Sequence, residues 1–360
     1  MTTSSIVGLT SQKIEEFTNL QKKCFIFKSD IPSIIPQFSL EKLNLKDPQS
    51  LFELIVEKQR GKVRKITLSK GTFHTILEFY KGHEKYAVRL QHHIYFSALH
   101  FVLEKSIMDV LEENMIPSVK VIFVDLSKLT IPFDYYIATA VRGELLSEIV
   151  KRNENANKLF IQFGKFVAKI HRVQTCDYGP FQISKLKSDK RLTGIHKQWE
   201  DYLRTQLDSH INVLVKHKTL QRQEGEEIYT ILDRAFAHIT KINPVLLHGD
   251  LANHNVFVKN KNITAFVDWE DACSGDPIYD LAYFGSGTFS HPSWFDYFLQ
   301  GYTSERDLPE DFQRLYWVYY LRISLAKAVG KLHFQKKVNE YRPLDSTRIR
   351  KAFTRLKKHL

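Results

Sequence analysis

Cysteine is scarce: Cys24, Cys176 and Cys273 are the only three in 360 residues. An odd number spread so far apart makes neither a disulfide framework nor a metal-binding pair, and it fits a reducing cytoplasm. Long apolar runs are missing too. No stretch approaches the ~18–20 residues of a membrane span. Met1-Thr2-Thr3-Ser4-Ser5 has no basic segment leading into an apolar one, so no secretory leader is expected. The fifteen histidines are scattered, without a pair spaced four apart around a glutamate. What is present is ordinary for a globular protein: 43% apolar and 26% charged residues, which excludes chain-wide disorder and fibrous architectures. At ~100–200 residues per domain, the length predicts two domains, or one with a large insertion.

The charge balance is less ordinary. Fifty-two Lys and Arg against forty Asp and Glu give a net charge of +12. A basic balance invites a nucleic-acid reading, but the excess is localised. Residues 336–360 hold nine basic residues and two acids, and read as a solvated helix or a loose basic arm. Residues 246–287 run the other way, with Asp250, Asp268, Glu270, Asp271, Asp276 and Asp280 against Lys259 and Lys261. No zinc, RRM-like or helix-turn-helix signature accompanies the charge, so neither a nucleic-acid nor a membrane partner is expected.

Periodicity divides the chain near residue 141. Residues 11–24 are helical in pattern after Ser11, a plausible N-cap. Asp47-Pro48, the run from Gln49 to Arg60 and then Gly61 read as a second helix. Val63–Leu68, Phe73–Tyr80 and Tyr86–Leu90 read as strands, with a turn at Ser69-Lys70-Gly71-Thr72. A helix over roughly His100–Asn114 precedes strands at Val119–Val124 and Tyr135–Thr139. Beyond Arg142-Gly143-Glu144 the chain reads as mainly helical. Candidates are Asn157–Val173, Trp199–Val215, Gly225–Ile239 and the tail from Trp317, with short strands at Val245–Leu247, Val256–Val258 and Ala265–Val267. The division is 1–60, N-terminal helices; 61–141, an α+β lobe; and 142–360, a helical lobe with a basic tail.

The chemistry lies in Leu247-His248-Gly249-Asp250-Leu251-Ala252-Asn253-His254-Asn255, followed by Phe266-Val267-Asp268-Trp269-Glu270. Asp250 and Asn255 stand five apart on a loop between apolar strands, and Asp268 follows a third strand. This is the layout of a kinase catalytic loop and its metal-binding aspartate. Phosphoryl transfer needs a carboxylate beside the attacking hydroxyl, and magnesium prefers oxygen ligands such as those of Asn255 and Asp268. Singly these residues are ordinary turn formers; together at strand edges they read as a site. Ala87-Val88-Arg89 places a cation on the third strand, where protein kinases carry Lys, and Glu104 on the next helix is its candidate partner. Gly71 is the one glycine of the turn that would approach the phosphates.

These segments, with Leu68-Ser69-Lys70-Gly71, Ile116-Pro117-Ser118-Val119, Tyr178-Gly179-Pro180-Phe181 and Gly275-Asp276-Pro277, resemble the aminoglycoside phosphotransferase and choline kinase-like enzymes over roughly residues 60–300. Within that family the chain is most similar to hygromycin B phosphotransferases. The resemblance implies a bilobal protein-kinase-like fold of class α+β, with a small antiparallel sheet in the N-lobe and a mainly α-helical C-lobe. It implies Asp250 as catalytic base, Asn255 and Asp268 as magnesium ligands, and Arg89 at the phosphates. Glu104, Gly71, Ala138 and Ala140 join the nucleotide site. His248 and Asp280 brace the catalytic loop. The donor is ATP or GTP, and the acceptor a small molecule with a hydroxyl. Eleven residues between Asp268 and Asp280 leave no room for the long activation loop of a protein kinase. The acidic cluster suits a cationic aminoglycoside-like acceptor, with Glu270 and Asp271 as candidate substrate residues. Choline, a sugar, a macrolide, or a non-catalytic nucleotide-binding regulator are the alternatives. Oligomeric state is not legible.

Overall fold

A computed structural model of the chain describes residues 5–26, 30, 53–55, 57, 67–70, 74–91, 99–152, 155–189, 191–239, 242–335 and 346–359. The first lobe is one sheet built from β1 (Ser5–Val7), β2 (Thr67–Lys70), β3 (His74–Lys81), β4 (Glu84–Gln91), β5 (Val121–Asp125) and β6 (Tyr135–Thr139), in the order β1-β5-β6-β4-β3-β2. The alternation read from β3 and β4 is the pleat itself. Leu77 and Phe79 on one strand and Val88 and Leu90 on the other point to one side and are buried with Ile55, Ile131, Tyr135 and Ile137. Helix α1 (Ser11–Gln21) packs on this lobe, as does helix α2 (Leu99–Glu113), which is buried on almost every side from Leu99 to Lys105 and runs between the sheet and the second lobe.

The second lobe contains β7 (Glu144–Leu145), α3 (Leu146–Lys151), α4 (Asn157–Ile170), β8 (Tyr178–Phe181), α5 (Ile183–Asp189), β9 (Gly194–His196), α6 (Trp199–Arg204), α7 (Leu207–Lys216) and α8 (Arg222–Ala237). The strands β10 (Val245–Leu247), β11 (Val256–Lys259), β12 (Asn262–Phe266) and β13 (Cys273–Gly275) follow, then α9 (Pro277–Gly287), α10 (Pro292–Thr303), α11 (Phe312–Gln335) and α12 (Thr347–Leu356). Two small sheets, β10-β13-β8-β9 and β12-β11-β7, carry the loops of interest over a single large apolar core.

Several local readings are corrected. The cap of α1 is Thr10, whose side chain accepts from the Lys13 N–H, rather than Ser11. Ser69 and Lys70 belong to the ladder, opposite Ile76 and Thr75, rather than to a turn. The helix expected over Trp199–Val215 is two helices, broken where Gln206 takes a left-handed φ of 61°. β1, β7, β8, β9 and β13 went unread; β1 pairs parallel to β5, and no local pattern announces a partner more than a hundred residues away. The basic tail is no loose arm over α12. Ile349, Ala352, Phe353 and Leu356 are buried, while Arg350 and Lys357 pair with Glu224 and Glu227 of α8. Gly71 and most of the helix expected over 47–60 lie outside the described residues. All three cysteines are unbridged. Among the described residues no helix is long and apolar enough to cross a membrane.

Candidate active site

Helix α9 begins with a cap that also anchors the site. Asp276 accepts from the Ile278 N–H at 2.9 Å ahead of Pro277 at the first helical position. Its other oxygen accepts from the Tyr319 hydroxyl at 2.7 Å, and that hydroxyl accepts from Trp199 Nε1 at 3.0 Å. Burial pushes the Asp276 carboxyl up to about 6. Asp276 is thus a capping residue within the core, and Trp199 is buried structure.

One turn further, Asp280 is fully buried and accepts three hydrogen bonds. The His248 N–H reaches Oδ2 at 2.7 Å, the Gly249 N–H reaches Oδ1 at 3.0 Å, and His171 Nε2 reaches Oδ2 at 3.2 Å. The backbone of the loop at His248 and Gly249 is therefore pinned to α9 through one carboxylate. The His248 ring lies 4.4 Å from the Trp269 ring, with Nε2 donating to the Val267 carbonyl at 3.1 Å and Nδ1 accepting from the Asp250 N–H at 3.3 Å. Burial lowers its proton affinity, which fits this neutral tautomer. Both ring nitrogens are engaged, so His248 orients the loop and is not placed as a base. Gly249 sits at φ +75°, where a Cβ would meet the Asp271 carbonyl oxygen at 1.9 Å. Only glycine fits there.

The loop presents Asp250 between two donors. Tyr283 donates its hydroxyl to Oδ1 at 2.8 Å, and Asn255 donates Nδ2 to Oδ2 at 3.3 Å and to the Asp250 carbonyl at 2.9 Å. The Asn255 amide nitrogen is spent on Asp250, which leaves its oxygen as the atom for a cation. Asp268, just past β12, adopts a left-handed conformation with φ 67°.

Arg89 of β4 joins the lobes. Its Nη1 donates to both Glu104 oxygens, at 2.7 and 2.9 Å, and its Nη2 donates to Asp268 Oδ1 at 3.0 Å and to Glu270 Oε1 at 2.6 Å. The Tyr136 hydroxyl donates to Glu104 at 3.1 Å. Burial works against the charge of Arg89, but Glu104, Tyr136, Glu270 and Asp268 outweigh it and hold the guanidinium protonated. Burial raises the Glu104 carboxyl, to about 7, against the pull of Arg89. Oxygens of Glu104, Asp268 and Glu270 lie within 4.8 Å of one another, so three carboxylates converge where Arg89 enters. The donor set beside Asp250, a carboxylate and an amide oxygen, is the hard-oxygen kind that magnesium takes.

The remaining predicted residues are distributed as follows. Ala138 is buried in the ladder opposite Ala87 and Val121. Ala140 donates its N–H to the Lys85 carbonyl at 2.9 Å and lines a cavity of about 530 Å³ with Ser118, Thr139, Arg142, Asn262 and Thr264. Glu270 is buried and accepts from Arg89 at 2.6 Å. Asp271 lines a cavity of about 20 Å³ together with Glu270, Gln21, Cys24, His100 and Tyr202. Three residues of the site went unread. Tyr283 stands three after Asp280 on one helix face, a spacing that marks it as a neighbour. His171 ties Asp280 to Tyr302 at 3.0 Å and carries no local signal. Lys327 is a lone cation in the apolar run Ile323-Ser324-Leu325-Ala326-Lys327-Ala328-Val329, a pattern worth attention because lysine is seldom buried.

Residues 74–317 match a family described as the phosphotransferase enzyme family, APH. No curated protein matches the sequence. Among solved structures the chain is similar to a thermostable mutant of aminoglycoside phosphotransferase APH(4)-Ia in ternary complex with AMP-PNP and hygromycin B. Identity is 18% and the TM-score 0.61, covering 86% of this chain and 98% of that one. It is similar to the amicoumacin kinase hAmiN in complex with AMP-PNP, Ca2+ and Ami, at 14% identity and TM-score 0.57, covering 85% and 92%. A choline/ethanolamine kinase family protein from Mesorhizobium loti aligns at 14% identity and TM-score 0.55, covering 86% and 93%. At these identities the likeness establishes the bilobal kinase-like fold.

Proposed function

The chain belongs to the phosphotransferase enzyme family, APH, and from that premise we propose that it moves the γ-phosphoryl group of ATP or GTP to a hydroxyl of a small molecule with Asp250 as base. The observation that carries this reading is the setting of Asp250. It stands on a loop pinned by Asp280, gripped at one oxygen by Tyr283 and at the other by Asn255, with Asp268 and the Arg89 cluster beyond. In the reaction the acceptor oxygen attacks the γ-phosphorus as Asp250 takes its proton. The bond from phosphorus to the bridging oxygen breaks, and the nucleoside diphosphate leaves. Asn255 and Asp268 are the residues that hold magnesium, which neutralises phosphate charge when bound. Arg89, oriented by Glu104, meets the phosphates from the first lobe.

A hygromycin-type aminoglycoside is the acceptor that the sequence resemblance points to; choline, sugars and macrolides are the alternatives. The test is nucleoside-diphosphate release with magnesium and ATP or GTP across such a panel, including Asp250→Asn. Loss of a general base costs roughly 10²–10⁴ in rate. Equal release by Asp250→Asn with the best acceptor refutes the assignment of the base. Absence of turnover with every acceptor, whether cationic, neutral or anionic, replaces the enzyme reading with the regulator one.

A further inference from the structure

The two donors on Asp250 lie on different sides of it. Asn255, with its amide oxygen free for a cation, grips Oδ2; Tyr283 grips Oδ1. Against Tyr283 lies a residue beyond the matched segment 74–317: Lys327 of α11, with Nζ 3.3 Å from the centre of the Tyr283 ring. Lys327 donates to Ser286 Oγ at 3.0 Å. Among the described residues no carboxylate lies within ion-pair distance of Nζ. An ammonium has three N–H donors, and one hydroxyl and one ring face do not use them all. Taken as a whole residue, Lys327 is half-buried.

The surroundings are basic. Asp250 is the anion acting on Lys327, while Arg348 of α12 and Lys331 of α11 act as cations. Lys331 stands on α11 with Lys327, and Arg348 on α12, the helix that packs the basic tail against the body. Meanwhile Glu270, the acid nearest in sequence to the metal-side aspartate, is taken up by Arg89. A polycationic acceptor would bring like charges together here, whereas a carboxylate or phosphate would accept the spare N–H groups of Lys327 in charge-assisted bonds.

Resting on the proposed kinase activity, we propose that Lys327 is an acceptor-recognition residue and that the acceptor carries an anionic group, a carboxylate or a phosphate ester, beside the hydroxyl that is phosphorylated.

The test is ADP release by the full chain with magnesium and ATP on matched acceptors: polyols of three to six carbons, the corresponding hydroxy acids, the polyol phosphates and the amino polyols. The expected result is a kcat/KM at least about tenfold higher for an anionic member than for its neutral parent, with the amine lowest. The ranking of hydroxy acid against phosphate ester identifies which anion is read. Lys327→Met lowers the anionic acceptor about 10- to 100-fold, mainly through KM, and Lys327→Arg restores most of it. The wild-type ranking stands without either variant. A preference for the amine or the neutral polyol overturns the inference. So does an equal loss on all acceptors in Lys327→Met, which would mean that Lys327 acts only on Asp250. Failure of the kinase reading looks different: no acceptor of any charge is turned over, and the inference falls with it.

Discussion

Asp280→Asn isolates the part of the design that holds the catalytic loop in place. The carboxylate is fully buried and takes three N–H donors on two oxygens, from His248 and His171 on Oδ2 and from Gly249 on Oδ1. Asparagine has the same shape but one oxygen and one NH2. Its better orientation keeps the oxygen toward His248 and His171 and sets an NH2 against the Gly249 N–H; the reverse orientation strands two donors. In the better case one bond to a charged acceptor is lost, about 1.5–3 kcal/mol, and one buried N–H is left unpaired, about 1–3 kcal/mol. Relief from burying a charge offsets part of this. A net loss of about 3 kcal/mol follows, roughly 150-fold in the unfolding equilibrium. Guanidinium titration followed by tryptophan emission reads it directly, because the Trp269 ring lies 4.4 Å from the His248 ring. The loop carrying Asp250 shifts with its backbone, so kcat falls about 10²-fold while nucleotide affinity, set around Arg89, holds within about twofold. A loss under about 1 kcal/mol, or equal losses for Asp280→Asn and Asp280→Ala, would refute the pinning argument.

Three further outcomes follow from the geometry. Arg89→Lys replaces a fork that reaches Glu104, Asp268 and Glu270 with a single ammonium, and weakens nucleotide binding by about tenfold or more in equilibrium dialysis. Gly249→Ala drives a Cβ into the Asp271 carbonyl and costs more than about 3 kcal/mol by calorimetric melting; Gly82→Ala, also at positive φ but with nothing within 4 Å, costs only about 1 kcal/mol. Burial lowers the Lys327 ammonium to about 7, with Asp250 raising it and Arg348 and Lys331 lowering it beside the Tyr283 ring. A lysine is charged below its pKa, so its charge is lost as pH rises through about 7. The KM for an anionic acceptor then climbs up to about tenfold per pH unit above 7 in wild type and stays flat in Lys327→Arg.

What could be read along the chain is what local chemistry encodes. The spacing of Asp250, Asn255 and Asp268 survives translation into loops because each sits at the edge of a short apolar strand, and hydrophobic pattern places those edges. Asp276 before Pro277 announces a helix start for the same local reason. The pairing of Arg89 with Glu104, 15 residues apart across one strand and one helix, was also within reach. Contacts made across the fold were not. Glu270 reads as an acid beside the catalytic loop, yet an arginine 181 residues earlier takes it up. Periodicity says which face of an element is apolar, not which distant face it will meet. Lys327 is the clearest case. In the sequence it is one lysine among many in a protein of net charge +12. Only the packing of α11 on α9 puts it against Tyr283, and the register of that packing sets a cation beside the base.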